Sequence, residues 1–486
     1  MNHIGHLDTI LTVSLALYAL VMTVFLISEN RRPQATLAWI LVFVFAPVIG
    51  GLIYILFGRD RKAFSKQSRL LRHDIEANAL PLLSPLLSRQ DAEIARLEDE
   101  STSHRKLMML VRRNSHSALT RHNHVEIQQD AAEFYPSMMK DIEGAHHSIH
   151  LQYFIWGADP FTEGLKEILS AKVKTGVEVR LLYDPIGSQA HLGRAYVRDM
   201  QAVGIRMTPT SPLYRLHTIS YRNHRKITVI DGAIGYTGGM NIGQEHLSGG
   251  KGFDFWRDTQ VRLVGASAAI LQAVFMVDWY NAVRENLFSA AYFPTSATES
   301  ADGDVPVQIL TSGPDSQWAA IRQLYGFMIV SAKQHVLIQS PFFIPDATIA
   351  EALRAAALSG VDVKLMVSAR PSGNRLPDWA GNTYLADIVA AGVRVFLYEK
   401  GYLHAKTISI DSEICSIGSA NIDIRSFSIN YEINAVLYSK QLAKKLERDF
   451  ERDLLHCTEF DATGYQKRNA AVRFRDSVAR IVSPLL

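Results

Sequence analysis

His224-Arg225-Lys226-Ile227-Thr228-Val229-Ile230-Asp231 returns 180 residues later as His404-Ala405-Lys406-Thr407-Ile408-Ser409-Ile410-Asp411. Each copy carries the same tail, Gly238-Gly239-Met240-Asn241 in the first and Gly418-Ser419-Ala420-Asn421 in the second. Both fit H-x-K-x4-D-x6-G-[GS]-x-N at one constant offset of 180 (404 against 224, 421 against 241). One H-x-K-x4-D alone is weak, because a lone histidine is usually structural; repetition with the extended tail is specific. The apolar run after each lysine reads as a strand, in which positions two apart point to one face. His224 and Lys226 therefore share a face, as do His404 and Lys406. Asp231-Gly232 and Asp411-Ser412 read as hairpin turns, where an aspartate ties its loop rather than touching a substrate. The glycines let backbone approach a ligand, and Asn241 and Asn421 supply amide donors.

Outward from the motifs the duplication continues. Ile149-His150-Leu151-Gln152 resembles Val336-Leu337-Ile338-Gln339, Gly176 to Leu181 resembles Gly360 to Leu365, and Gly204 to Met207 resembles Gly392 to Val395. The offsets are 187 (336 against 149), 184 (360 against 176) and 188 (392 against 204), a period near that of the motifs. Each copy alternates apolar strands with helical stretches, which predicts an α/β unit with a largely parallel or mixed sheet. Units of this size are domains rather than solenoid repeats. The Ser-, Thr- and acid-rich stretch Pro294 to Asp304 reads as the linker between them. The expected organisation is an N-terminal segment over 1–62, a polar helical connector over 63–115 lying at a membrane surface, a first α/β domain over 116–293, the linker over 294–304, a second domain over 305–464 and a basic C-terminal segment over 465–486.

Two His, two Lys and two Asn brought together by two similar domains form a cationic pocket suited to a phosphodiester. Lysines neutralise non-bridging oxygens and stabilise a pentacoordinate transition state. A neutral imidazole attacks phosphorus to give a phosphohistidine, and the opposite imidazole, protonated, donates to the leaving oxygen. This chemistry needs no metal and no cofactor.

The 486 residues are too many for one small domain, and 48% hydrophobic with 20% charged residues excludes a long disordered chain. Lys+Arg 51 against Asp+Glu 48 leaves +3, too near balance to indicate a nucleic-acid partner. Two cysteines, Cys415 and Cys457, rule out a disulfide scaffold. Residues Thr9 to Ser28 and Thr36 to Phe57 carry no charge. At about 1.5 Å per residue, some twenty residues span a bilayer core of about 30 Å. Pro47, Gly50 and Gly51 interrupt the second run, which membrane helices tolerate. The runs predict a two-helix transmembrane hairpin, not a signal peptide, whose start is basic and whose apolar stretch is shorter. Arg31 and Arg32 in the link, and Arg59, Arg61, Lys62, Lys66, Arg69 and Arg72 after the second run, put both ends in the cytoplasm.

These residues resemble the phospholipase D superfamily with its doubled HKD motif, and more closely the bacterial cardiolipin synthases. The resemblance covers nearly the whole chain, including Arg31-Arg32, Ala38-Trp39, Pro47 and Gly50 at the start and the ending Ser483-Pro484-Leu485-Leu486. It implies two phospholipase D-like α/β domains sharing one active site behind a membrane hairpin in the inner membrane. It implies an enzyme that joins two phosphatidylglycerols into cardiolipin and releases glycerol. It counts Asp231 and Asp411 with the catalytic His224, Lys226, His404 and Lys406. By analogy His224 is the nucleophile and His404 the acid and then the base, although the residues alone leave the two symmetric. An acid downstream of each motif orients the histidines, and Asp258 in Trp256-Arg257-Asp258 and Glu432 in Asn430-Tyr431-Glu432 hold the matching positions. Ser419 stands where the first copy has Gly239; a bond from it to the phosphate would make the halves unequal.

Three further readings remain open at this point. Arg215, Arg222 and Arg225 contact headgroups or form a solvated face. Phe474, Val478, Ile481, Val482 and Leu485, at helical spacing beside Arg473, Arg475 and Arg480, form an interfacial helix or pack on the domain. Water in place of the second alcohol would give a phospholipase D hydrolase, and another donor lipid another phosphatidyltransferase. Two apolar spans disfavour a nuclease with a soluble substrate, and the intact His-Lys pairs disfavour a lipid-binding protein with a dead site.

Overall fold

Short apolar strands alternating with capped helices build two sheets of matching topology. The computed structural model describes residues 2–28, 33–47, 50–51, 54, 81–82, 84, 94, 102–212, 220–250, 252–294, 303–370 and 375–483. The chain divides into two bodies, one of Met1–Leu71 with Pro212–Tyr221, the other of Arg72–Ser211 with Arg222–Leu486. The basic cluster of 59–72, Arg215, most of the linker, most of the connector and Leu485 lie outside the described residues.

In the smaller body, α1 (Asn2–Ser28) and α2 (Pro33–Phe45) pack together. Their seam is aromatic. Tyr18 meets Phe43 edge-on at 6.0 Å, and Trp39 meets Tyr54 at 5.1 Å. A Cβ at Gly51 would come within 2.8 Å of the Tyr18 hydroxyl, so a larger residue there would displace that side chain. Val13, Leu17, Leu20, Val21, Val24, Leu37, Leu41 and Val44 face outward. Among the described residues no helix is long and apolar enough to cross a membrane.

The larger body holds both halves of the duplication. Its first half contributes β1 (Leu119–Thr120), β2 (Asn123–Gln129), β3 (Ser148–Tyr153), β4 (Glu178–Tyr183), β5 (Arg206–Pro209), β6 (Ile227–Ile230), β7 (Ile234–Gly238), β8 (Trp256–Arg257) and β9 (Thr259–Gly265). The second contributes β10 (Val307–Ser312), β11 (His335–Gln339), β12 (Phe343–Ile344), β13 (Asp362–Ser368), β14 (Arg394–Tyr398), β15 (Tyr402–Leu403), β16 (Thr407–Ile410), β17 (Ile414–Gly418), β18 (Ile422–Asp423), β19 (Glu432–Leu437) and β20 (Cys457–Glu459). The first sheet runs β2-β9-β7-β6-β3-β4-β5 and the second β1-β10-β19-β17-β16-β11-β13-β14-β20. Strip β1 and β20 from the second and the two orders correspond strand for strand. The directions agree as well: β3 and β4 are parallel as are β11 and β13, while β6 and β7 are antiparallel as are β16 and β17. Both sheets are mixed, and the fold is α/β with two domains.

The sheets share a core. Val125, Ile127, Ile227, Val229, Val261 and Leu263 from the first interleave with Val307, Ile309, Cys415, Ile417, Ile433 and Leu437 from the second. Burying a face this apolar is what fixes the two motifs relative to each other. The division of the chain near residue 116 is crossed twice. Leu119 and Thr120 pair with Gln308 and Val307 on the edge of the second sheet. The helix α3 (Thr102–Ser115), within the expected surface connector, buries Leu107, Met108 and Val111 in the core of the second half. His104 at its start lies 3.0 Å from Glu413. Amphipathic spacing at 107, 108 and 111 suits a domain core as well as a membrane surface, and here the core takes it.

Candidate active site

Each motif strand is placed by its turn. Asp231 and Gly232, and likewise Asp411 and Ser412, have positive φ at both central turn positions, as a tight hairpin requires. The Asp231 carboxylate accepts from the backbone N–H groups of His146, His147 and Ser148, and Asp411 from those of Lys333, Gln334 and His335. Both aspartates thus hold the far end of their strand to the start of β3 or β11. Grouped with the catalytic residues through the motif, they do not join them in space; they are loop ties, because three backbone amides already use their oxygens.

At the near end of each strand the histidine and lysine do share a face. Lys226 Nζ donates to the His224 carbonyl at 2.6 Å, and Lys406 makes the same bond to the His404 carbonyl. Each histidine backbone then pairs with the other half. His224 N–H donates to Tyr431 O at 2.9 Å, and His404 N–H donates to Arg257 O at 2.7 Å. The segments they pair with carry the two acids, so the carboxylates are exchanged. Glu432 of the second half sits on His224 Nδ1 at 3.0 Å, and Asp258 of the first half sits on His404 Nδ1 at 2.6 Å. Both histidines therefore present Nε2 away from their carboxylate. Phe154 meets the His224 ring edge-on at 4.9 Å, and Trp256 meets His404 at 5.2 Å.

The two halves differ in how the acid is held. Ser419 Oγ donates to Glu432 Oε2 at 2.5 Å, and Asn430 Nδ2 donates to Oε1 at 3.2 Å. The Ser419 hydroxyl thus goes to the carboxylate, and the inequality between the halves lies there. In the first half there is no room for it, since a Cβ at Gly239 would sit 2.0 Å from Asp258 Oδ1. Burial works against the Glu432 carboxylate, yet His224, Lys226 and the Ser419 hydroxyl outweigh it and hold it below the usual range. Burial pushes Asp258 above its usual range despite Lys406 and the Thr259 N–H. Burial also lowers His224 against the pull of Glu432. It lowers His404 further, joined by the charges of Lys406, Lys226 and His224. Burial drives Lys226 far below an ordinary lysine and Lys406 to about 8. The bonds of each motif histidine to the other half bring both motifs together. Asn241 Oδ1 accepts from Ile155 N–H at 3.1 Å, while Asn421 bonds to Asp423.

Comparison with known proteins follows from this arrangement. The family model described as "Cardiolipin synthase, PLD-like domain" matches residues 138–252 and 327–454, and a second, "Phospholipase_D-nuclease N-terminal", matches 14–59. A Geobacillus kaustophilus protein named cardiolipin synthase is 38% identical over 99% of this chain and 94% of its own. The chain belongs to the cardiolipin synthase family. Bacillus subtilis "Major cardiolipin synthase ClsA", 36% identical over 98% of this chain and 99% of its own, is a further relative. The crystal structure of phosphatidylserine synthase from Haemophilus influenzae shares the fold, with a TM-score of 0.60 at 15% identity over 78% of this chain and all of that one.

This cardiolipin synthase family member also uses residues that motif spacing did not single out. Gln152 Nε2 donates to Asp278 at 2.7 Å, and Asp278 grips Arg225 at 2.7 Å. In the second half Gln339 donates to Asp453 at 2.8 Å, and Asp453 grips Arg257 at 2.9 Å. Asp184 accepts from Asn223 N–H at 3.1 Å and lies 3.4 Å from Arg222. Arg222 and Arg225 are thus buried ion-pair members that brace the loop into His224, not a solvated face. The repeat of Gln152 and Gln339 in the sequence was the available signal; their aspartate partners lie on distant helices. His246 is a third buried imidazole at the site, 4.3 Å from Trp256, and burial pushes it down to about 3. Among the described residues no three His, Cys, Asp or Glu side chains are arranged to hold a metal ion.

Proposed function

We propose that the chain transfers a phosphatidyl group between two phosphatidylglycerols, giving cardiolipin and glycerol through a phosphohistidine. The observation that carries this is the crossed pair of histidines, each with Nδ1 bound to a carboxylate and a buried lysine beneath it. With Nδ1–H donated to Glu432, His224 Nε2 keeps its lone pair and attacks phosphorus. The phosphorus–oxygen bond to the headgroup glycerol breaks as His404 Nε2 gives it a proton. The glycerol of a second phosphatidylglycerol then attacks the phosphohistidine, His404 takes its proton back, and the phosphorus–nitrogen bond breaks. Lys226 and Lys406 neutralise the oxygens that gain charge at each transition state. Burial, joined by the charges of Lys406, Lys226 and His224, holds His404 towards the neutral form, and a bound phosphodiester anion favours its protonation. Glu432 and Asp258 are held differently, so the two histidines are unequal; the assignment of His224 as the nucleophile follows the superfamily analogy. Asn241 and Asn421 support the loops that close the pocket.

The two apolar runs over 9–28 and 36–57 are read as a transmembrane hairpin, with the catalytic body on the cytoplasmic side of the inner membrane. The support is the outward Leu and Val side chains of α1 and α2 and the close approach of Gly51 to Tyr18. The test is purified protein with phosphatidylglycerol alone, quantifying cardiolipin, phosphatidic acid and glycerol. Equal cardiolipin and glycerol are expected; phosphatidic acid in place of cardiolipin would make the chain a hydrolase.

A further inference from the structure

Helices of the larger body generally hide their large apolar side chains, and the last one does not. Helix α4 (Leu376–Val389) lies against α5 (Ala470–Val482), whose inner side buries Asp476 and Ala479. Arg475 lies over Trp379 at 4.4 Å, and Arg480 lies over Tyr384 at 4.2 Å and pairs with Asp387 at 2.8 Å. The opposite side carries Phe474, Val478 and Ile481, which are 71%, 44% and 77% exposed. At about 3.6 residues per turn, positions four and seven apart fall on one stripe. On the same wheel Arg473 and Arg475 fall on opposite flanks of that stripe. The segment 465–486 holds five basic residues, Lys467, Arg468, Arg473, Arg475 and Arg480, against one acid, Asp476, which is buried and paired with Arg475. An amphipathic helix already anchored on its polar-facing side, with an apolar outer stripe between arginines, has the geometry of one lying in a headgroup layer.

We propose that the outer face of α5 rests on an anionic phospholipid bilayer, with Phe474, Val478 and Ile481 entering the acyl boundary and Arg473 meeting phosphates. This rests on the reading that bilayer lipids are the substrate. It adds a contact separate from the apolar N-terminal runs. The excess of positive charge around the stripe selects an anionic lipid surface over an apolar protein groove. A cavity of about 590 Å³ lined by Phe342, Phe343, Trp379 and Phe460 lies beside α4, with Arg468 at its wall.

The full chain carrying Cys457→Ser, its remaining Cys415 being buried, is labelled with an environment-sensitive dye at Phe474→Cys or Ile481→Cys. Exposed Thr175→Cys serves as the reference. The proteins are placed in nanodiscs of phosphatidylglycerol and phosphatidylcholine containing doxyl-labelled acyl chains. Quenching at 474 and 481, absent at 175 and lost in discs of phosphatidylcholine alone, is the expected result. Labels at 474 and 481 that stay unquenched overturn the proposal, and a blue-shifted but unquenched label means that protein covers the stripe. This readout does not need turnover, so an inactive preparation leaves it decisive. In an active one, Phe474→Glu with Ile481→Glu is expected to cut the rate on vesicles about five- to tenfold and leave the rate on short-chain, detergent-dispersed phosphatidylglycerol unchanged. An unchanged vesicle rate would also overturn it.

Discussion

His224 and His404 come from copies of one motif, occupy corresponding strand ends and have carboxylates at corresponding positions, yet their surroundings differ. Glu432 reaches His224 on a longer side chain and is steadied by Ser419 and Asn430. Asp258 reaches His404 on a shorter one, in space left by Gly239, with Thr259 N–H as its neighbour. One residue, Ser419 against Gly239, therefore marks the branch between a hydrogen-bonded, ionised acid and a desolvated, more basic one. A duplicated fold supplies two equivalent groups. Two-step transfer needs them unequal, one to bond phosphorus and one to move a proton, and the inequality lies in what holds each acid.

The largest effect expected is on the histidines. His224→Ala and His404→Ala each lower cardiolipin formation by about 10³-fold or more. A phosphatidyl ester with a p-nitrophenol leaving group separates them, because that oxygen leaves without a proton. His404→Ala is expected to release p-nitrophenol in a burst and accumulate acid-labile phosphatidyl-enzyme, whereas His224→Ala gives neither. The reverse pattern would exchange their roles. Next are the acids. Glu432→Gln and Asp258→Asn leave each ring without its charged partner, and both are expected to lose on the order of 10²-fold or more in kcat. Because the acids are exchanged, Asp258→Asn is expected to impair the His404 step: p-nitrophenyl substrate rescues it, while Glu432→Gln is not rescued. If Asp258→Asn instead abolishes the burst, the exchange does not operate in catalysis.

A smaller effect tests the branch residue. Ser419→Ala removes a hydrogen bond to a charged group, worth roughly 1.5–3 kcal/mol, so a loss of about ten- to hundredfold in turnover is expected. Gly239→Ser is expected to cost at least as much, since its Cβ would sit 2.0 Å from Asp258 Oδ1 and push that carboxylate off His404. Gly239→Ser with full activity would show that Asp258 can move without consequence.

How far this site was legible in the sequence depended on whether a residue repeats. His224, Lys226, His404 and Lys406 repeat at one spacing, and the alternating strand geometry fixes their faces, so their convergence could be read directly. Asp231 and Asp411 repeat as well, but repetition reports a shared structural need as readily as a shared reaction; their position in a turn pointed to the role seen. The exchange of acids was not legible, because it depends on which edge of each domain meets the other. Arg222 and Arg225 looked like surface charge for want of their partners, Asp184 and Asp278, which lie 38 and 53 residues away in the chain. A charge is read as exposed until something shows what pays its desolvation. Amphipathic spacing was ambiguous in the same sense: the stripe in Thr102–Ser115 turns inward and that in Ala470–Val482 outward, and nothing in the spacing itself distinguishes them.

The mildest expected effect concerns pH and again separates the halves. Burial brings Lys406 to about 8, so it is cationic below that pH and neutral above it. If its charge steadies the transition state, kcat/KM falls as pH rises through about 8, to roughly half its plateau at that point. Lys406→Arg keeps the charge throughout, because a guanidinium does not titrate in this range, and is expected to remove the alkaline limb at some cost in plateau rate. The stability consequence has the opposite sign. The unfolded lysine keeps its proton to a higher pH than the folded one, so folding is penalised while Lys406 is charged, and stability increases as pH rises from about 8 towards the ordinary lysine value. Between those limits turnover is expected to drop while the melting temperature attributable to this group climbs. Lys406→Met is expected to melt higher than the parent at pH 7 and to make almost no cardiolipin. A variant that melts lower would mean that the acids around Lys406, Asp258 and Glu432, need its charge more than burial resists it.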